Sequence, residues 1–142
     1  MQQYHTDLRK EFFTGKTQKI QWRKHNLSQL ILAISEMETT LVKVLAKDLG
    51  REEFTSYLSE LSLITQKAKY DLNHLSDYIK DDKRDTPLLI APAKSRVIHQ
   101  PLGAVCIIAT WNYPISTLFF PIISAIAAGN CVLAKPSEMT PN

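Results

Sequence analysis

Glycine is scarce in this chain, four in 142 residues, and none of the four falls into a GxGxxG or GxxxxGK[ST] pattern. The common phosphate-cradling loops are therefore absent. Cysteine is limited to Cys106 and Cys131, with no CxxC and no metal spacing. Both lie inside apolar, strand-like runs, so the sequence predicts two buried free thiols and a reducing, cytoplasmic setting. The opening residues MQQYHTDLRKEFF hold no apolar core of a signal peptide. The longest apolar-rich stretch, residues 115–128, is interrupted by Pro121 and falls short of the about 20 residues that span a bilayer. No membrane segment is expected. Charge of one sign is missing too: 17 basic and 14 acidic residues leave a net +3. Acids interrupt the basic runs, as in Lys80-Asp81-Asp82-Lys83-Arg84. A nucleic-acid binder gathers Lys and Arg on one face, so nucleic acid is not an expected partner.

Helical periodicity fills the first half. Thr6 reads as the cap of a short turn that carries Leu8 and Phe12 and ends at Gly15. Thr17 reads as the next N-cap. Ile20, Leu27, Leu30, Ile31 and Ile34 then share one helical stripe. A second set, Leu41, Val44, Leu45 and Leu49, stops at Gly50, and the pattern suggests a break near residues 36–38. A third helix carries Leu58, Leu61, Ala68, Leu72, Leu75 and Ile79. Residues 81–85 read as a solvated linker, and Thr86-Pro87 ends any helix. Leu88-Leu89-Ile90 and Arg96-Val97-Ile98 flank a proline-containing loop, which suits a β-hairpin. His99 is expected to be partly exposed and without a catalytic partner.

The last third changes character. Ala104 to Ala109 is apolar without alternation, the pattern of a strand buried on both faces of a parallel sheet. Residues 115–128 form an apolar, helix-length run closed by Gly129-Asn130. Cys131 to Ala134 is a second buried strand. Strand, helix, strand makes a βαβ unit, and ligands of such folds bind beyond the carboxyl ends of the strands. Two turns lie there, Thr110-Trp111-Asn112-Tyr113-Pro114 and Lys135-Pro136-Ser137-Glu138. Two strands and one crossover leave Val105, Ile107 and Val132 partly unshielded, which favours self-association.

The residues of those turns admit two readings each. Asn112, just before a helix N-terminus, is either a helix cap or a side-chain donor to a developing oxyanion, aided by the helix dipole. Lys135 and Glu138 are either an incidental surface ion pair or a donor and an acceptor for ribose hydroxyls.

A resemblance, carried by four blocks in order, bears on both. Pro101-Leu102-Gly103, Trp111-Asn112-Tyr113-Pro114, Ala125-Ile126-Ala127-Ala128-Gly129-Asn130 and Lys135-Pro136-Ser137-Glu138 resemble the aldehyde dehydrogenase superfamily. Gly15-Lys16-Thr17, Trp22-Arg23, residues 45–50, and the segment from Phe54 to Glu60 with Tyr57 agree. The resemblance is to the class-3-like branch with the fatty-aldehyde and coniferyl-aldehyde enzymes. It implies that Asn112 is the oxyanion-hole amide, that Lys135 and Glu138 meet the adenosine ribose of NAD or NADP, and that Ser137 is a further cofactor-binding residue. It further implies that Ala109, Thr110 and Trp111 line the cofactor cleft. Oxidation of an aldehyde substrate to a carboxylic acid is the implied activity, by attack of a cysteine and with a glutamate base. Neither of those two groups matches a residue of this chain, which resembles the amino-terminal fragment of such an enzyme and is expected to be inactive alone.

The expected fold is α/β: N-terminal helices over 1–86, a hairpin arm over 87–100, and the first βαβ of a Rossmann-like NAD(P)-binding domain over 101–142. The resemblance makes the arm an oligomerisation element, so a homo-oligomer is implied. An alternative from a different class is a non-catalytic module acting through self- or partner association.

Overall fold

A computed structural model describes residues 2–142. Helix α1 (Gln2–Phe13) leads through a 3-10 turn at Lys16–Gln18 into the long helix α2 (Ile20–Leu49). Thr6 caps nothing; its hydroxyl donates back to the carbonyl of Gln2 inside α1. Thr17 belongs to the 3-10 turn, and the residue preceding α2 is Lys19, with no side-chain cap. The break expected near 36–38 is absent. Residues 35–40 are all exposed, so the apolar stripe lapses where α2 meets solvent, while the backbone ladder continues. Gly50 closes α2 with φ 63°, a left-handed conformation that suits glycine.

The third helical region is not uniform. Helix α3 (Glu53–Ser56) passes through a π segment (Tyr57–Leu61) into helix α4 (Ser62–Tyr78). A π turn takes in an extra residue and rotates the chain that follows. Leu58, expected on the stripe, is therefore exposed, while Glu60 and Leu61 face inward. Ile64, Ala68 and Leu75 extend the buried face.

The hairpin pairs different residues from those expected. Strand β1 (Asp82–Arg84) runs antiparallel to strand β2 (Ser95–Val97), in the register Asp82↔Val97, Lys83↔Arg96, Arg84↔Ser95. Leu88–Ile90 is a 3-10 turn at the tip. The charged run 81–85 thus forms a strand, made legible by no apolar pattern because both of its faces meet solvent.

Strands β3 (Ala104–Ile108) and β4 (Cys131–Lys135) are parallel, with Val105↔Val132 and Ile107↔Ala134 in register. Helix α5 (Pro114–Ala128) crosses between them and continues through Pro121. Both α5 and α1 pack on the sheet. As a result Ile107 is buried and Val105 and Val132 are only half-exposed, better covered than a bare βαβ unit allows. Cys131 is buried as expected, but Cys106 is exposed.

One core unites the helices: Leu27, Ile34 and Leu45 of α2, Ile64 and Leu75 of α4, and Ile115 and Ile123 of α5. Each fully buried aliphatic side chain contributes about 1.5–3 kcal/mol. Among the described residues no helix is long and apolar enough to cross a membrane.

Candidate functional site

The two turns singled out in the sequence are neighbours. Ile108 pairs with Lys135 at the carboxyl ends of β3 and β4. The ladder extends one step further, where the N–H of Ala109 donates to the carbonyl of Lys135 at 3.0 Å. Thr110, Trp111 and Asn112 emerge from one strand and Pro136, Ser137 and Glu138 from the other. Thr110, Trp111, Asn112, Lys135 and Glu138 are exposed, Ser137 is half-buried, and Ala109 is buried behind them.

Asn112 does not cap α5. The residue preceding the helix is Tyr113, Pro114 opens the first turn, and no side chain from the cap position bonds the backbone. Proline is suited to that place because its missing N–H is one the helix leaves unpaired. The Asn112 amide is oriented from its oxygen side instead: the Thr110 hydroxyl donates to Oδ1 at 2.7 Å. Its nitrogen side is left as the donor. Thr110 is itself fixed, since its N–H donates to the Thr117 hydroxyl at 3.2 Å, and that hydroxyl donates to the Tyr113 carbonyl at 2.8 Å.

The start of α5 is occupied by Glu60, whose side chain is 0% exposed. Its Oε2 accepts the N–H groups of Ile115 and Ser116, both at 2.9 Å. A carboxylate at this end complements the positive pole of the helix. The expectation that the helix dipole assists an oxyanion is thereby corrected. The Ile115 and Ser116 donors of the first turn are already spent on Glu60. Glu60 also pairs with Arg51. The Arg51 guanidinium lies 4.7 Å from the centre of the Tyr113 ring, and its Nη2 donates to the Asn112 carbonyl at 2.5 Å.

On the second turn Lys135 Nζ donates to Glu138 Oε2 at 2.6 Å. That hydrogen bond, with a backbone bond and the positive charge, holds the Glu138 carboxyl below its ordinary range. Burial pushes the Cys131 thiol up. Cys131 opens β4 at the end of the sheet remote from the turns, and Cys106 sits in the middle of β3. His99 is exposed as expected, but it does face a carboxylate, that of Asp82 at 3.4 Å. Among the described residues no group of His, Cys, Asp and Glu gathers as a metal site.

The far end of α5 is held with equal care. Arg23 is buried and donates to three carbonyls: Thr17 at 3.1 Å, Gln18 at 2.9 Å and Ala127 at 3.2 Å. Gly129 follows with φ 90°, and a Cβ there would lie 2.6 Å from Arg23 Nη2. Asn130 ties the two strand entrances together: its Oδ1 accepts the Gly103 N–H at 2.8 Å, while Cys131 N–H donates to the Gly103 carbonyl at 2.8 Å.

Sequence reasoning placed the two turns correctly and missed the group beneath them. Glu60 and Tyr57 entered only as part of a resemblance, and Arg51 not at all. A charged residue on the apolar side of a helix, nine residues after an arginine, was the available signal.

The sequence matches the profile of the aldehyde dehydrogenase family over residues 7–142. It is 38% identical over 136 residues to aldehyde dehydrogenase family 3 member H1 of Arabidopsis thaliana, covering 96% of this chain and 28% of that protein. It is 39% identical over 136 residues to the 4,4'-diaponeurosporen-aldehyde dehydrogenase of Staphylococcus aureus, covering 96% of this chain and 30% of the relative. The solved structure of Staphylococcus aureus AldH in a substrate-bound state superposes with a TM-score of 0.95 at 38% identity, over 99% of this chain and 31% of that one. Betaine aldehyde dehydrogenase of the same species, in complex with NAD+, gives 0.83 at 28% identity, over 94% and 26%. The chain therefore spans under a third of the length of these relatives.

Proposed function

Because this chain belongs to the aldehyde dehydrogenase family, we propose that it supplies the oxyanion-binding turn and the ribose-binding strand end of an NAD(P)-dependent enzyme. That enzyme oxidises an aldehyde to a carboxylic acid. The observation that carries this reading is the Asn112 amide, fixed at Oδ1 by Thr110 and free to donate through Nδ2 at the carboxyl end of β3. A donor held there polarises the aldehyde carbonyl and stabilises negative charge on its oxygen once a nucleophile adds. Removing one such donor typically costs about 100-fold to 1000-fold in turnover.

The cofactor half of the reading rests on Lys135 and Glu138. Their side chains meet at a strand end and are exposed, so an ammonium donor and a carboxylate acceptor stand where a ribose diol can bridge them. Ala109, Thr110, Trp111 and Ser137 are the adjoining wall. The nicotinamide cofactor, when bound, accepts the hydride from the substrate carbon. The carboxylate of Glu138 repels a 2′-phosphate, which favours NAD over NADP. Neither Cys106 nor Cys131 is proposed as the nucleophile, since one is mid-strand and the other is buried with its thiol pushed up. Two separate free thiols fit a reducing, cytoplasmic setting.

Association through the hairpin is part of the same proposal. Leu88 and Leu89 at its tip are 93% and 96% exposed. Apolar surface so open is stabilised when a second copy covers it.

The test is a hybrid in which this chain replaces the aligned 136 residues of the Staphylococcus aureus relative. Aldehyde-dependent NADH formation by the hybrid, and none by the 142-residue chain alone, supports the reading. A folded hybrid without that activity contradicts it. So does turnover by the chain alone above a Cys106→Ala, Cys131→Ala control.

A further inference from the structure

Arg51 makes two contacts that stability of the helices alone does not call for. One face of its guanidinium lies over the Tyr113 ring at 4.7 Å. Its Nη2 donates to the carbonyl of Asn112 at 2.5 Å, across 61 residues of sequence. Its Nη1 pairs with Glu60 Oε1, while Glu60 Oε2 takes the Ile115 and Ser116 N–H groups. Arg51 itself lies just beyond α2, in the short link to α3. Glu60 lies in the π segment and is buried where it meets Arg51.

We propose that Arg51, oriented by the buried Glu60, is a positioning residue for Asn112. It fixes the main chain of the oxyanion turn while Thr110 fixes the side chain. The inference rests on the reading of Asn112 as the carbonyl-polarising donor.

Trp111, Asn112 and Tyr113 form an exposed turn outside the α5 ladder. Among the described residues, the Asn112 carbonyl has one hydrogen-bond donor, Arg51, and Asn112 Oδ1 has one, Thr110. Two restraints from different directions define where Nδ2 points; either one alone leaves a rotation free. A planar guanidinium can serve an acceptor on each side in fixed directions, which a lysine ammonium on a flexible stem does not reproduce. Glu60 keeps the guanidinium from swinging into water, and its other oxygen ties the same unit to the start of α5. The turn, the helix and the α2–α3 link therefore move together. Loss of the grip shifts the amide relative to the carbonyl it must polarise, and a displacement of about 1 Å in such a contact costs on the order of 100-fold. The ribose contacts at Lys135 and Glu138 belong to the other turn, so cofactor binding is not expected to follow.

The experiment is a double-mutant cycle in the hybrid enzyme, using Arg51→Lys and Asn112→Ala. Arg51→Lys keeps a cation beside Glu60 and is expected to lower kcat by about 10-fold, with the cofactor KM within about 2-fold of the parent and little change in Tm. In the Asn112→Ala background, adding Arg51→Lys is expected to slow turnover by less than about 2-fold, because the residue it positions is gone. Independent, multiplicative effects overturn the proposal, as does an Arg51→Lys enzyme with the parent kcat. Arg51→Gln, which keeps a planar donor but loses the charge, passes through the same cycle if the lysine variant does not fold. An Asn112→Ala enzyme with normal turnover marks a different failure: it removes the catalytic reading itself, and the role of Arg51 with it.

Discussion

Glu60 and Arg23 hold opposite ends of helix α5. The Glu60 carboxylate accepts the Ile115 and Ser116 N–H groups at the start, each at 2.9 Å, and the Arg23 guanidinium donates to the Ala127 carbonyl near the end at 3.2 Å. Each charge complements the helix pole that it meets. Both come from outside the βαβ unit, Glu60 from the π segment and Arg23 from α2. The helical first half of the chain thus sets the position of the crossover helix, and through it the turn that carries Asn112.

Truncation of Glu60 tests this linkage through stability. Glu60→Ala leaves two buried N–H groups without their acceptor and the Arg51 guanidinium without its carboxylate partner. A loss of about 3 kcal/mol or more is expected, read as a lower denaturant midpoint with an unchanged slope. A change under about 0.5 kcal/mol contradicts the capping role.

Gly129 is needed twice over. Its φ of 90° strains any L side chain, and a Cβ meets the Arg23 guanidinium at 2.6 Å. Gly129→Ala is expected to cost about 2 kcal/mol or more, and thermal unfolding of the two proteins measures it. An unchanged Tm shows that Arg23 gives way freely.

The two thiols separate by reactivity. Cys106 is exposed, while Cys131 is buried and its thiol is pushed up by burial. The thiolate is the reactive form. One equivalent of a thiol reagent is therefore expected to react quickly with the native chain, at Cys106, and the second only on unfolding. Peptide mapping of the labelled chain decides it, and fast labelling of Cys131 contradicts the fold around β4.

The Lys135–Glu138 pair has a signature in pH. Glu138 titrates below its ordinary range because Lys135 donates to it. A carboxyl lowered in the folded state stabilises that state above its unfolded pKa, and the contribution disappears as pH falls through the folded value. The pair is exposed, so the effect on stability is small. The shift is best read directly by carbon NMR of the Glu138 side chain. Lys135→Ala is expected to return the titration towards the ordinary range. In the hybrid enzyme the same change is expected to weaken cofactor binding more than it slows turnover.

Much of this arrangement was legible in the sequence, for identifiable reasons. The unbroken apolar run Ala104 to Ile108 does mark a strand, although only Ile107 in it is buried, and Gly50 and Gly129 mark helix ends because each takes a positive φ. Periodicity read the α2 stripe correctly on both sides of residues 35–40, but it took a gap in packing for a gap in the helix. It misplaced Leu58 because a π segment breaks the 3.6-residue repeat on which the method depends. The pairing of Asp82–Arg84 with Ser95–Val97 was invisible, since a strand exposed on both faces carries no alternation. Resemblance picked out Asn112, yet its anchoring by Thr110 and Arg51 is a matter of three-dimensional approach between residues up to 61 apart.

In the proposed function the Asn112 amide acts on the reacting carbonyl, not on the helix behind it. The most direct measurement compares Asn112→Ala with the parent hybrid in three quantities: turnover, cofactor affinity and Tm. Turnover is expected to fall by about 100-fold or more, with cofactor affinity nearly unchanged and Tm little altered, since no cap hydrogen bond is lost. Unchanged turnover with a lower Tm, the mark of a helix cap worth about 1 kcal/mol, would contradict it.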